Sequence, residues 1–104
     1  MSDRITQLEH FIEEDPTDPF NYYALGLEYV SRNEHKALEI FNHLISVHKN
    51  YIPTYYQLAK LYEQLGQKEN AVQAYNEGII IARQQNDFKT LRELNAGLQE
   101  LEND

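Results

Sequence analysis

Apolar residues recur along the chain at steps of three and four, in segments separated by short polar breaks. This period is typical of amphipathic α-helices, and no alternating run of the kind found in half-buried strands is present. The pattern predicts six helices, at about 3–14, 18–31, 33–47, 53–66, 68–84 and 88–101. Because the breaks are only two to five residues long, neighbouring helices are expected to pack antiparallel.

Local signals indicate where these helices begin and end. Asp15-Pro16 ends the first helix, because a proline keeps the residue before it out of the helical region. Asp18-Pro19 begins the second helix, with aspartate as the N-cap and proline in the first turn. Gly66 suits the end of the fourth helix, where a left-handed residue is favoured.

The second and fourth predicted helices repeat one pattern at an offset of 33 residues, as "NYYALGLEY" from Asn21 and "TYYQLAKLY" from Thr54. After the next turn the offset becomes 34, which pairs Ala37 with Ala71, Phe41 with Tyr75 and Ile45 with Ile79. The small residue in each pattern, Gly26 or Ala59, is expected to let the next helix approach closely, against Ala37 or Ala71. Each copy therefore predicts a helical hairpin, and such hairpins stack to bury their apolar faces.

These two segments resemble the tetratricopeptide repeat family. Its pattern of an aromatic residue, Leu-Gly or Leu-Ala, a turn glycine, an alanine and a second aromatic is present in "PFNYYALGLEYVSRNEHKALEIF" and "PTYYQLAKLYEQLGQKENAVQAY". The first copy lacks one turn residue and the turn glycine. The resemblance implies an all-α fold, a small α-solenoid of two hairpins with a capping helix at each end. We expect a single domain, divided into an N-terminal cap 3–17, repeats 18–50 and 51–85, and a C-terminal cap 86–104.

The second predicted helix carries an additional apolar stripe. Phe20, Tyr23, Leu27 and Val30 follow one another at steps of three, four and three, away from the repeated positions. A helix that is apolar on most of its circumference should be covered on most of it, and an uncovered apolar patch usually has a function. The stripe therefore predicts a surface that is covered by a partner segment, by a second copy of the chain or by the chain's own N-terminal residues.

The resemblance also implies where a partner would bind, because tetratricopeptide arrays bind peptides in a concave groove lined by the first helix of each hairpin. The matching positions are Phe20, Tyr23, Ala24, Leu27, Val30, Tyr56, Gln57, Lys60 and Glu63. Chaperone-binding members of the family clamp a terminal carboxylate with Lys, Asn and Arg. Since Lys60 is the single cation in this set, such a clamp is not expected.

Composition narrows the range of partners. The formal net charge is −8, from 17 acidic and 9 basic residues, which argues against nucleic acid and against anionic membranes. Cysteine is absent, and the longest apolar run, Ile79 to Ala82, is far too short to cross a bilayer. A cytoplasmic, acidic scaffold protein is the expectation.

The sequence offers no motif for catalysis. His10, His35, His43 and His48 are not spaced as metal ligands, the serines lack a nucleophile elbow, and the glycines form no phosphate loop. We therefore expect no enzymatic activity, no metal and no cofactor. The function predicted is a protein–protein interaction module for an unidentified partner. The alternative is a homodimerisation module that uses the same apolar stripe or the leucines of the sixth helix.

Overall fold

A computed structural model of the protein describes residues 3–103, which form six α-helices and contain no strand. The helices are α1 (Arg4–Glu14), α2 (Pro19–Tyr29), α3 (Glu34–Val47), α4 (Pro53–Gln64), α5 (Lys68–Gln85) and α6 (Phe88–Glu102). The predicted all-α fold is confirmed, and each predicted helix is present within two residues of its expected ends.

Short polar side chains begin four of the helices, α1, α2, α3 and α6, where the caps are Asp3, Asp18, Asn33 and Asp87. The Thr90 amide donates to Asp87 Oδ1 at 3.1 Å and the Thr90 hydroxyl donates to Oδ2 at 2.8 Å. These two hydrogen bonds hold the pKa of Asp87 below its usual range. The caps satisfy amides that a helix start leaves without a carbonyl partner.

Left-handed residues follow the ends of α4 and α5. Gly66 has φ of +75°, and the amide after it donates to the Tyr62 carbonyl at 2.8 Å. The end of α5 is Asn86, with φ of +57°, a conformation that asparagine tolerates better than most residues. The predicted glycine cap at Gly66 is therefore confirmed.

The chain divides into two compact units, one ending at Thr54 and the other beginning at Tyr55. In the first unit, α1 and α3 both pack against α2. Leu8, Leu25 and Ile40, one from each helix, form the centre of this packing. Phe11, also on α1, is 44% exposed.

Phe41 is fully buried and lies directly against Gly26. A Cβ atom added to Gly26 would come within 2.5 Å of the Phe41 ring. The sequence correctly indicated a close approach at this glycine, but it assigned the contact to Ala37. The atoms nearest to that added Cβ all belong to the Phe41 ring, so an aromatic ring rather than a small side chain fills the space.

The second unit contains α4 from Tyr55 onward, together with α5 and α6, and α5 packs against α6. In this unit too, side chains of neighbouring helices approach each other most closely at glycines. A Cβ atom on Gly78 would lie 2.6 Å from the Cβ of Tyr55, and one on Gly97 would lie 2.7 Å from the Tyr75 ring. Both glycines are buried within helices, where the absence of a side chain lets a tyrosine from a neighbouring helix fit.

Replacing Gly26 with leucine is expected to destabilise the protein by about 3 kcal/mol or more, because the Phe41 ring cannot move out of a close-packed core. A loss of that size removes much of the stability of a small domain. Thermal unfolding followed by circular dichroism measures the effect. Ala96→Leu, on an exposed position of α6, is the matched control and should melt as the wild type does. A wild-type melting temperature for Gly26→Leu would contradict the contact.

Thr54 provides a second test of the packing. It is fully buried, and its hydroxyl has no hydrogen-bond partner among residues 3–103. Thr54→Val removes this hydroxyl at nearly constant volume and is expected to raise the free energy of unfolding by about 1 kcal/mol. Urea denaturation measures the gain. The same change at Thr90, whose hydroxyl donates to Asp87, should lower the stability instead.

Candidate functional site

Two large apolar side chains are exposed on the additional stripe of α2. Phe20 is 52% exposed and Leu27 is 39% exposed. Between them along the helix lies Tyr23, which is half-buried, with its ring 6.3 Å from the Phe41 ring and 5.7 Å from the Tyr51 ring. The structure therefore places three of the predicted residues at the surface of α2, the middle one supported by two further aromatic rings.

The other two predicted residues on α2 lie differently. Ala24 is half-buried and packs against the Leu8, Leu25 and Ile40 core. Val30 is half-buried and forms the C-cap of the helix. The accessible apolar surface of α2 is therefore centred on Phe20, Tyr23 and Leu27, and we refer to these three residues as the α2 face.

The corresponding residues of α4 are mostly polar and interact with one another. The Lys60 ammonium lies 5.5 Å from the centre of the Tyr56 ring and 3.7 Å from the Glu63 carboxylate. Gln57 is half-buried on the same helix. The Tyr56 ring meets the Tyr75 ring edge-on at 6.5 Å, which matches the contact of Tyr23 with the equivalent ring in the first copy.

Glu63 also accepts a hydrogen bond from the Tyr75 hydroxyl. Burial of the tyrosine and this bond together raise the pKa of Tyr75 well above its ordinary value. The equivalent residues of the first copy are Phe41 and Val30. Since phenylalanine has no hydroxyl, position 30 needs no acceptor and can be apolar.

This link between positions 41/75 and 30/63 was not predicted from the sequence. The signal was nevertheless present, because the alignment of the copies changes Tyr75 to Phe41 and Glu63 to Val30 together. Lys60, which pairs with the carboxylate of Glu63, corresponds to Leu27. On α4, Glu63 accepts the hydrogen bond of the buried Tyr75 hydroxyl, and Lys60 pairs with Glu63. On α2, the equivalent residues Val30 and Leu27 are apolar, and the equivalent of Tyr75 is a phenylalanine.

The described residues give little support for a metal site or a membrane-spanning segment. Residues 3–103 contain no group of three or more His, Cys, Asp or Glu side chains arranged to hold a metal ion. No helix among these residues combines the length and apolar character needed to cross a bilayer. His43, one of the four histidines, lies with its ring 5.2 Å from the ring of Tyr22.

Comparison with known proteins places this geometry in a family. The sequence model of the tetratricopeptide repeat matches residues 52–85. The solution structure of a tetratricopeptide repeat domain protein from Salinibacter ruber is 39% identical, with a TM-score of 0.82 over 86% of this chain and 91% of that one. The chain belongs to the tetratricopeptide repeat family.

Two further structures are similar to this chain. A crystal structure of a tetratricopeptide repeat domain protein from Salinibacter ruber is 38% identical, with a TM-score of 0.77, and covers 82% of this chain and 97% of that one. A solution structure of a Bordetella parapertussis protein shares the fold at 21% identity, with a TM-score of 0.84 over 99% and 90% of the two chains. A search of curated proteins finds no match.

The tetratricopeptide fold generally mediates protein–protein interaction, and its members are typically non-enzymatic scaffolds. The matched segment, 52–85, is the second copy of the repeat. The first copy is the one that departs from the family pattern at its turn and carries the α2 face.

A double-mutant cycle tests the link between Tyr75 and Glu63. Glu63→Val leaves a buried hydroxyl without its acceptor and Tyr75→Phe removes the donor, so each change alone should lower the free energy of unfolding by about 1.5–3 kcal/mol. The double variant reproduces the valine and phenylalanine of the first copy. Its free energy of unfolding should fall by about 1 kcal/mol less than the sum of the two single losses. Urea denaturation of the four proteins gives the coupling. Strictly additive losses would contradict it.

Proposed function

We propose that this chain is a non-catalytic protein-binding module that takes a partner segment on the α2 face. The observation that carries the proposal is the exposure of Phe20 and Leu27, at 52% and 39%, on a helix whose opposite side is already buried. Apolar side chains grouped on one face, rather than scattered, are typical of interaction sites. Membership of the tetratricopeptide repeat family supports the same function.

Tyr23 is the anchor of this face. Its ring is held by Phe41 beneath and by Tyr51 at its edge, so little side-chain freedom remains to be lost when a partner binds. Binding energy at interfaces is concentrated in a few such aromatic residues surrounded by weaker contacts. We assign the main apolar contact to Tyr23 and Leu27, with Phe20 and Val30 at the edges.

Polar contacts from Tyr56, Gln57 and Lys60 of α4 were expected from the sequence, and they stay a prediction. Lys60 is shared with Glu63 and the Tyr56 ring, which makes it a weaker ligand for a partner carboxylate than a free cation would be. This supports the expectation that no carboxylate clamp is present. The full groove of nine residues predicted from the sequence stays a prediction. Affinity should be modest, since a short face buries little area.

Self-assembly is the second candidate function. It is favoured by the exposed α2 face and by Phe88 at the start of α6, which is 59% exposed. Leu94 and Leu101 of the predicted α6 stripe are buried within the chain, so that stripe is not available to a second copy. The α2 face is the surface that would pair two chains across a two-fold axis. Sedimentation velocity over a range of concentrations distinguishes the two functions, because a binding module for other proteins stays monomeric by itself.

Leu27→Lys is expected to remove partner binding while leaving the helicity and the melting temperature nearly unchanged, because the side chain is exposed. Loss of a central apolar contact should weaken the interaction about 30-fold or more. Affinity capture from the native cell extract, compared between wild type and variant by quantitative mass spectrometry, identifies the candidate partner. Titration of that purified partner then measures the loss.

Ile80→Lys is the matched control, since it makes the same change at another exposed apolar residue, on α5. It should capture the same partner as the wild type. A partner that binds both variants equally would refute the assignment to the α2 face. A large loss of stability in Leu27→Lys would show that Leu27 belongs to the core.

A further inference from the structure

The first unit contains an open cleft of about 510 Å³ between α1, α2 and α3. Its apolar lining consists of Ile12, Tyr22, Leu25 and Ile40, and the His43 imidazole also lines it, beside the Tyr22 ring. Tyr22 and Leu25 belong to the repeated stripe of α2, so the cleft does not include the α2 face. The volume is in the range of sites that hold a compact ligand or a few side chains.

The rim of the cleft is acidic. Glu9 and Glu13 project from α1, and Glu39 and Lys36 project from α3, all of them exposed. The Lys36 ammonium lies 3.6 Å from the Glu39 carboxylate, so the one lysine of the rim is already paired. Glu9 and Glu13 are four residues apart on one helix, where like charges repel, and neither forms an ion pair within residues 3–103.

We propose that this cleft binds a basic segment of a partner protein, with an apolar side chain of that segment against Ile12 and Tyr22. The cations of the segment would lie beside Glu9 and Glu13 and relieve their repulsion. Charge decides the kind of occupant. A second copy of this chain would bring together two proteins of formal net charge −8, whereas a basic segment is attracted to the rim.

The probe for this proposal is a short fluorescein-labelled helical peptide of lysine, alanine and leucine, with leucines at steps of three and four. Fluorescence anisotropy should show binding that weakens as salt is added, because exposed charges are screened. A twin peptide with glutamate in place of lysine should not bind. A second twin with serine in place of leucine should bind at least about tenfold more weakly, since it lacks the apolar anchor.

Two triple variants locate the site. Glu9→Gln, Glu13→Gln and Glu39→Gln together should weaken binding about tenfold. The control is Glu93→Gln, Glu100→Gln and Glu102→Gln, which removes the same charge from exposed positions of α6 and should leave binding within about threefold. Circular dichroism melting verifies that both variants fold.

Three results would overturn the proposal. Equal weakening by the two triple variants would mean that the peptide responds to the overall charge only. Equal binding of the leucine and serine peptides would mean that the apolar lining is not used. Self-association in sedimentation velocity that is lost in the cleft variant alone would identify a second copy of the chain as the occupant.

Discussion

The aromatic ring on the second helix of each hairpin is the contact on which the rest of the structure depends. Phe41 and Tyr75 are both fully buried, and each fits only because a neighbouring helix has a glycine there, Gly26 for the first ring and Gly97 for the second. Tyr23 lies against Phe41 at the surface. The Phe41 ring thus sets the spacing of α2 and α3 and also supports Tyr23, the central residue of the α2 face.

One hydroxyl group accounts for much of the difference between the two copies. Tyr75 needs an acceptor in a buried setting, Glu63 provides it, and Lys60 balances the carboxylate. Phe41 has no such requirement, so α2 can carry apolar residues where α4 carries charges. The apolar character of α2 is therefore a consequence of how its own hairpin is packed.

The fold could be predicted because a hydrophobic period repeated at 33–34 residues leaves few alternatives. The exposure of Phe20 and Leu27 followed from the same helical spacing. The sequence did not predict the contacts that depend on which helices pack together. Ile40 is buried because α1 and α3 both pack on α2, which the repeat pattern does not encode. The bond between Tyr75 and Glu63 joins residues 12 apart that only the closed hairpin brings together.

The pairing of each ring with its own hairpin has a consequence for assembly. Arrays of similar repeats are prone to exchange equivalent helices, within a chain or between chains. Here one direction of exchange would lose a hydrogen bond. Tyr75 placed against α2 would find Val30 at the position that Glu63 occupies on α4, and its buried hydroxyl would have no acceptor. The bond between Tyr75 and Glu63 therefore favours the pairing of α5 with α4 over its pairing with α2.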